Sequence, residues 1–233
     1  MKLKLSKRLS AVADMITKGS GVADIGTDHG YIPIYLVQNG LCRYAVATDI
    51  NEGPLERARG NIRRFGVEDM VSTRLCDGLL GLEAGETDTI VIAGMGGLLI
   101  TRILESAPDR AHAAKELILS PHSDADALRA FLARNFFVIA DESMVKEDGK
   151  FYFIIRAVNG SAPVCEGAAL YYGLPLLKRR DAVLREYLER ELSLREKIIG
   201  NLQSNSEDKN GRIAQLEAEI TIIKEGFNFY EGC

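Results

Sequence analysis

The 233-residue sequence contains no tryptophan and has only four cysteines and three histidines. The cysteines are scattered and form no C-x-x-C pair, so the sequence predicts neither a zinc site nor a disulfide framework. The histidines are too dispersed to indicate another metal site. No run approaches the roughly 18 apolar residues of a membrane span, and the N-terminus lacks a hydrophobic signal segment. We therefore expect a soluble cytoplasmic protein.

Neither sign of charge dominates, because 29 basic and 33 acidic residues give a formal net charge of −4. This balance argues against a general nucleic-acid-binding protein. Basic residues nevertheless form three local clusters. Each cluster alone is typical of a solvated surface, but together they would suit a surface that follows phosphates. The clusters are Lys2, Lys4, Lys7 and Arg8; Arg57, Arg59, Arg63 and Arg64; and Lys178, Arg179 and Arg180.

The most informative stretch is residues 22–31, where a predicted strand ends near Asp24 and a helix begins after a Gly-containing turn. Gly26 and Gly30 permit that tight turn, as in folds that bind an adenosine-bearing cofactor. The spacing is not the G-x-G-x-x-G of dinucleotide folds, and Asp24 and Asp28 would repel a pyrophosphate. Two carboxylates instead suit the ammonium and sulfonium of S-adenosylmethionine. A purely structural strand–helix corner is the alternative for this motif taken alone.

Three further predicted strands also end in acidic residues or glycine. Asp49 lies about 20 residues beyond the glycines, where a carboxylate accepts hydrogen bonds from ribose hydroxyls. Asp77 follows the next strand and can accept from the adenine amine. A turn or a helix cap is the alternative for each acid alone, but four such strand ends at one sheet edge predict a cofactor site. The predicted cofactor-binding residues are Arg8, Asp24, Gly26, Gly30, Asp49, Ile50, Asp77, Gly78, Ala93, Gly94, Met95 and Gly96.

Alternating helix and strand patterns over residues 1–160 predict an α/β domain with a seven-stranded, mainly parallel sheet. The turn at 147–150 is typical of a hairpin, so the last strand is expected to be antiparallel. Helices are predicted at 5–16, 33–38, 54–65, 97–105 and 124–134. Strands are predicted at 22–24, 44–49, 71–75, 88–93, 116–120, 136–140 and 151–157.

A change of pattern at 159–173 predicts the boundary to a second domain, residues 161–233. Beyond it, apolar residues recur at steps of three, four or seven on a charged background. These residues would form a narrow apolar stripe, or seam, along each helix. The stripe predicts an antiparallel helical hairpin of the coiled-coil type, interrupted at 204–211.

Several stretches together identify a resemblance to a known family. They are Leu5-Ser-Lys-Arg-Leu9, Asp24-Ile-Gly-Thr-Asp-His29, Tyr31-Ile-Pro33, Ala47-Thr-Asp-Ile-Asn51, Ala58-Arg, Asn61-Ile62, Asp77-Gly-Leu79, Ala93-Gly-Met-Gly-Gly97 and Glu147-Asp-Gly-Lys-Phe-Tyr152. The sequence resembles the bacterial tRNA (adenine-22-N1)-methyltransferase family, TrmK, over almost all of its first 155 residues.

The resemblance implies a Rossmann-like class I methyltransferase fold followed by a coiled-coil domain. It also implies methylation of adenine N1 in the D-loop region of tRNA, with S-adenosylmethionine as cofactor and S-adenosylhomocysteine as product. One departure concerns the loop after the fifth strand, where Ser120-Pro121-His122 stands in place of the expected Gln-Pro-Asn. It affects the substrate contacts expected near that loop, and not the cofactor site.

The residues are compatible with methylation of a ring nitrogen. Methyltransferases that act on exocyclic amines usually carry an Asn/Asp-Pro-Pro-aromatic run after the fourth strand, whereas this chain has Gly-Met-Gly-Gly at 94–97. Adenine N1 has an in-plane lone pair, so positioning would supply most of the catalysis, and a carboxylate would stabilise the cationic product. Asp28 is the first candidate for that carboxylate, and Tyr31 for stacking on or bonding to the base. His29 is a candidate relay, with a helix-start or packing role as its alternative.

Two other functions stay open at this point. The acidic total charge would suit an S-adenosylmethionine-dependent methyltransferase for a small molecule. A non-catalytic adaptor would use the helical hairpin and keep the first domain as a scaffold. The residues do not specify an oligomeric state, and we expect tRNA as partner, with no membrane and no metal.

Overall fold

The computed structural model describes residues 2–204 and 211–231. It consists of two compact units, Met1–Pro163 and Val164–Cys233.

The first unit is built on one seven-stranded sheet with the strand order 3-2-1-4-5-7-6. Strands one to five are parallel, whereas the seventh is antiparallel to both of its neighbours. This confirms the mainly parallel sheet and the closing hairpin. The strands are β1 (Ser20–Ile25), β2 (Cys42–Asp49), β3 (Val71–Leu75), β4 (Thr89–Met95), β5 (Glu116–Pro121), β6 (Phe137–Glu147) and β7 (Lys150–Asn159).

Helices pack on both faces of the sheet. Successive strand residues point to opposite faces, and Ile90 and Ile92 accordingly belong to one buried apolar cluster while Val91 belongs to another. The chain order reverses between β1 and β4, where open α/β sheets bind ligands beyond the carboxyl ends of the strands. The helices of this unit are α1 (Lys7–Asp14), α2 (Tyr31–Gln38), α3 (Glu52–Phe65), α4 (Gly97–Glu105), α5 (Pro108–Ala113) and α6 (Ala125–Arg134).

Some predicted element boundaries were wrong. Helix α1 is shorter than 5–16, because Ser6 caps its N-terminus by accepting a hydrogen bond from the Leu9 amide. Strand β4 continues through Met95, because a shift of register next to Gly94 prolongs its pairing with β5. Strand β6 extends far beyond residue 140, since β7 pairs with it almost from end to end. Helix α5 was not predicted.

The second unit consists of α7 (Gly167–Tyr172), α8 (Leu174–Arg179), α9 (Ala182–Ser204) and α10 (Arg212–Asn228). Arg195 on α9 is paired with Glu219 on α10, and Leu188 lies against Gly226. The partner numbers fall as the α9 numbers rise, so α9 and α10 are antiparallel, as predicted for the hairpin.

Part of the predicted boundary at 159–173 is helical. Helix α7 forms there, because Ala168 and Tyr172 are buried within this unit. Leu177 was assigned to the hairpin seam, but it lies in the separate helix α8. Most of the predicted break at 204–211 lies outside the described residues.

Candidate active site

A cavity of about 370 Å³ opens at the carboxyl ends of β1 and β4. Nine residues predicted for the site line it: Arg8, Asp24, Gly26, Asp28, His29, Gly30, Tyr31, Ala93 and Gly94. Four lining residues were not predicted: Leu9, Thr27, Ile32 and His122. The turn after β1, the end of β4 and the start of α1 therefore line the same cavity.

The turn after β1 has a backbone that only glycine adopts easily. Gly26 and Gly30 have φ values of +71° and +67°, in the left-handed region. The Thr27 amide donates to the Thr48 carbonyl at 2.8 Å, and the Gly30 amide donates to Thr27 Oγ1 at 3.2 Å. These bonds fix the turn against β2 and place the start of α2 at the cavity.

Asp24 is a buried carboxylic acid at the floor of this cavity, with 6% of its surface exposed. Burial raises its pKa from 3.8 to about 6, although a hydrogen bond with Thr27 acts in the opposite direction. The charged form is disfavoured because few partners replace the lost water. A cation bound beside Asp24 would reverse that penalty.

Asp28, His29 and Tyr31 form one cluster at the mouth of the cavity. Arg57 on α3 holds Asp28 Oδ1 through Nε at 3.0 Å and Nη2 at 2.5 Å. His29 Nε2 lies 3.3 Å from Asp28 Oδ2. The His29 and Tyr31 rings are stacked, with centroids 5.0 Å apart and planes 10° apart. The three candidates for catalysis are thus adjacent, and the carboxylate of Asp28 is oriented by two partners.

The basic cluster predicted on α3 is partly neutralised. Besides the Arg57–Asp28 pair, Arg59 bonds to Glu52 and also donates to Thr73 Oγ1 at 2.9 Å. The guanidinium of Arg64 lies over the Phe65 ring. At least two of the four arginines therefore have acidic partners within the unit.

Arg8 reaches the opposite wall of the cavity from α1. Its guanidinium lies over the Tyr152 ring, with Cζ 5.3 Å from the centroid. Its backbone amide donates to Glu147 Oε1 at 3.1 Å, which attaches α1 to the β6–β7 hairpin. Among the described residues, the buried Nη1 atom of Arg8 has no hydrogen-bond partner. An unpaired buried guanidinium nitrogen is costly, so this atom indicates a place for an anionic or carbonyl oxygen.

Gly94 and His122 complete that wall. Gly94 has φ +89°, and a Cβ atom there would lie 3.7 Å from Arg8 Nη1 and 3.8 Å from Cε1 and Nε2 of His122. The His122 amide donates to the Met95 carbonyl at 2.8 Å. Desolvation and the charges of Arg8 and Lys150 lower the pKa of His122 below 6.5. Its imidazole is therefore neutral near pH 7.

The other predicted residues lie at the same edge of the sheet but do not line this cavity. Asp49 Oδ1 accepts from the Asn51 amide at 2.7 Å, and the Asp49 carbonyl accepts from the Cys76 amide at 3.0 Å. The β2–β3 pairing thus places Asp77 and Asp49 at neighbouring strand ends. The set that does not line the cavity is Asp49, Ile50, Asp77, Gly78, Met95 and Gly96.

The cavity fits the amino-acid end of S-adenosylmethionine. That group carries a carboxylate, an ammonium and a sulfonium. The unpaired Arg8 Nη1 can donate to the carboxylate, while buried Asp24 can receive the cationic groups. Asp49 and Asp77 lie at neighbouring strand ends on the same edge of the sheet.

The residues that the sequence did not reveal had weak local signals. Leu9 and Ile32 match the apolar positions of helices α1 and α2, and Thr27 is an ordinary polar residue of the turn. His122 stood out as a departure from a family motif, but no local pattern placed it beside Arg8 and Gly94.

Within residues 2–204 and 211–231, no group of three or more His, Cys, Asp or Glu side chains is arranged to hold a metal ion. None of the helices in those ranges is long and apolar enough to cross a membrane.

Comparisons with known proteins identify the family of this chain. Residues 5–155 match a family model described as a methyltransferase domain. The chain is 35% identical to the tRNA (adenine(22)-N(1))-methyltransferase of Bacillus subtilis over 96% of its own length and 97% of that protein.

Solved structures show the same similarity. The B. subtilis m1A22 tRNA methyltransferase TrmK superposes with a TM-score of 0.85 at 34% identity, covering 97% of this chain and 99% of that one. M. capricolum TrmK, in complex with S-adenosyl-homocysteine, gives a TM-score of 0.83 at 28% identity, with 97% and 99% covered. The chain therefore belongs to the tRNA (adenine(22)-N(1))-methyltransferase family.

Proposed function

We propose that this protein methylates N1 of adenine 22 in tRNA, using S-adenosylmethionine as methyl donor and working in the cytoplasm. The observation that carries the proposal is the cavity in which a buried acid and an unpaired arginine nitrogen face one space. The two B. subtilis matches that cover nearly the whole chain are m1A22 tRNA methyltransferases by name.

When bound, S-adenosylmethionine supplies an electrophilic methyl group on a sulfonium. The N1 lone pair of the adenine forms the new bond to that methyl carbon, while the C–S bond breaks and its electron pair stays on sulfur. The positive charge passes to the adenine ring, and no proton has to leave beforehand. The work of the protein residues is therefore to orient the two reactants and to stabilise the charged ring.

Asp28 is well placed for the electrostatic part of this work. Its carboxylate lines the cavity and is held by Arg57 and His29. A fixed carboxylate near the base stabilises the charge that develops there, without having to reorganise. His29 then orients Asp28, and we assign it no separate proton transfer.

Tyr31 is proposed to receive the target base. Its side chain is 37% exposed and stacked on His29. Enzymes that act on a base inside folded nucleic acid usually take it out of its stack and read it in a pocket by stacking and edge contacts. The exposed face of Tyr31 offers such a stacking surface.

The proposed division of labour follows the two domains, 1–160 and 161–233. The first would hold the cofactor and perform the transfer. The second would add contacts to tRNA through charged helices, including the base of the hairpin around Lys178. Contacts of that kind are salt-sensitive and do not depend on sequence.

The decisive experiment uses the purified protein, tritiated S-adenosylmethionine and unmodified tRNA, followed by nucleoside analysis. We expect labelled 1-methyladenosine at position 22, and loss of the label when A22 is replaced by guanine. Cofactor binding without tRNA labelling would favour the small-molecule methyltransferase. No cofactor binding at all would favour the adaptor.

A further inference from the structure

His122 is a lining residue to which the proposed reaction has so far assigned no role. It follows β5, on the far side of β4 from β1, β2 and β3, whose ends carry the acids predicted to hold the cofactor. The adenosine part of the cofactor would therefore extend away from His122. The imidazole borders the cavity beside Gly94, where we place the methyl acceptor.

The ring is held in a defined orientation at this position. The His122 amide is bonded to the Met95 carbonyl, and its ring packs at a tilt on Tyr152, with centroids 5.6 Å apart. The edge with Cε1 and Nε2 faces Gly94, whose missing side chain keeps the space open. A polar edge of the imidazole thus borders the cavity.

The charged neighbours of His122 decide its hydrogen-bonding character. Arg8 on α1 and Lys150 on β7 both disfavour its protonation, and Tyr152 on β7 adds an aromatic face. A neutral imidazole keeps one nitrogen as an acceptor. Asp28, another acceptor that lines the cavity, is already bound by Arg57 and His29.

The target adenine needs an acceptor of this kind. Beside N1, which must keep its lone pair for the methyl group, adenine presents the 6-amino group as a donor. A cationic donor would compete for the N1 lone pair, whereas a neutral acceptor leaves it free. We propose that His122 accepts a hydrogen bond from the 6-amino group of the target adenine and thereby selects adenine at this site. This inference rests on the proposed function.

The test compares tRNA carrying adenine at position 22 with tRNA carrying purine there, which lacks the amino group. Single-turnover rates are measured at saturating S-adenosylmethionine for the wild type, His122→Ala and His122→Gln. Purine is intrinsically less nucleophilic, but this loss is equal in every variant and cancels when the adenine-to-purine rate ratio of a variant is divided by that of the wild type. Changing residue 122 and the base independently forms a double-mutant cycle, which isolates the contact between residue 122 and the amino group.

We expect the adenine-to-purine rate ratio to fall about tenfold in His122→Ala. His122→Gln, which retains an acceptor oxygen, should restore most of it. His112→Ala is the matched control, because His112 stacks on Phe137 and bonds to Asn159 away from the cavity. The control should retain the wild-type ratio.

An unchanged ratio in His122→Ala, with wild-type methylation intact, would overturn this inference alone. A wild-type protein that does not methylate tRNA adenine would overturn the proposed function and this inference with it. The ratio is independent of the fraction of folded enzyme, so a loss of stability in one variant does not obscure the result.

Discussion

At the residue scale, Asp24 shows how burial prepares a group for its ligand. A carboxylic acid with a pKa of about 6 is partly protonated in weakly acidic solution. A cationic ligand beside it favours the ionised form, so binding lowers the pKa and releases a proton. The stability of the free protein depends on pH in the opposite direction to ligand binding. The raised pKa of Asp24 stabilises the fold below about pH 3.8, and this contribution to the free energy of unfolding is lost as the pH rises through 6.

S-adenosylmethionine should therefore bind more weakly as the pH falls below about 6, by up to tenfold per pH unit, and its affinity should level off towards pH 7. Titration calorimetry between pH 5 and 7 measures this directly. In Asp24→Asn the affinity should be lower and independent of pH. A wild-type affinity that does not change over this range would show that Asp24 does not face the cationic groups.

Arg8 supports a second prediction, because its buried Nη1 atom has no hydrogen-bond partner among the described residues. Arg8→Met keeps much of the packing on Tyr152 but removes the donor, and should weaken S-adenosylmethionine binding about tenfold. Affinity for tRNA without cofactor should change little. The opposite pattern, with tRNA binding reduced and cofactor binding intact, would assign Arg8 to a phosphate. Arg63→Met on α3 is the control for loss of a charge.

The residues of this site differ in how far the sequence could predict them. Asp24, Gly26 and Gly30 follow a recognisable strand, so their shared place at a sheet edge could be inferred. His122 and the orientation of Arg8 depend on Tyr152 and on packing between segments far apart in the chain. The ion pair of Arg57 with Asp28 was missed for the same reason, because a charge cluster on a helix gives no sign of its partners.

At the element scale, the start of α4 packs closely against the backbone that follows β5. The Gly97 amide donates to the Ser123 carbonyl at 2.9 Å, and a Cβ atom on Gly97 would lie 2.8 Å from that oxygen. Backbone atoms cannot turn aside as a side-chain tip can. Packing thus requires glycine at position 97, and the positive φ of Gly94 favours glycine there as well.

Gly97→Ala should accordingly lower the free energy of unfolding by about 1–3 kcal/mol. Gly60→Ala is the matched control, since Gly60 lies inside α3 with nothing within 4 Å of the added methyl group. It should stabilise the helix by roughly 0.5–1 kcal/mol. Urea unfolding of both variants gives the comparison, and equal stabilities would contradict the packing argument.

The bounds of an element were predicted well where a local sequence pattern determines them. They were predicted poorly where pairing with another strand determines them. The bounds of β3 and α4 agree with the sequence patterns, since apolar residues and flanking turns mark both ends. Strand β6 was predicted at less than half its length. Its second half, residues 141–147, is mixed in character and becomes a strand because β7 supplies a hydrogen-bonding partner.

At the scale of the whole molecule, each unit has its own buried residues. The first contains the complete sheet and two apolar clusters. The second buries Tyr172, Leu184, Leu188, Leu216 and Ile223. Residues 1–163 should therefore bind cofactor without the helical unit.

The truncated protein ending at residue 163 should keep S-adenosylmethionine affinity within about twofold, but bind tRNA at least tenfold more weakly, because linked contacts multiply in affinity. Calorimetry and gel-shift titration measure the two affinities. Equal tRNA affinity in both proteins would limit the helical unit to stability or self-association.

The position of β7 between β5 and β6 has a consequence for synthesis on the ribosome. Strand β6 is made first, yet its only neighbour in the described sheet is β7, so it stays an unpaired edge until residue 159 has emerged. At about 5–20 residues per second this wait lasts on the order of a second. Unpaired edges are prone to pairing with other chains. Because Tyr152 belongs to the late strand, the wall that carries Arg8 and His122 is also the last part of the pocket to be built.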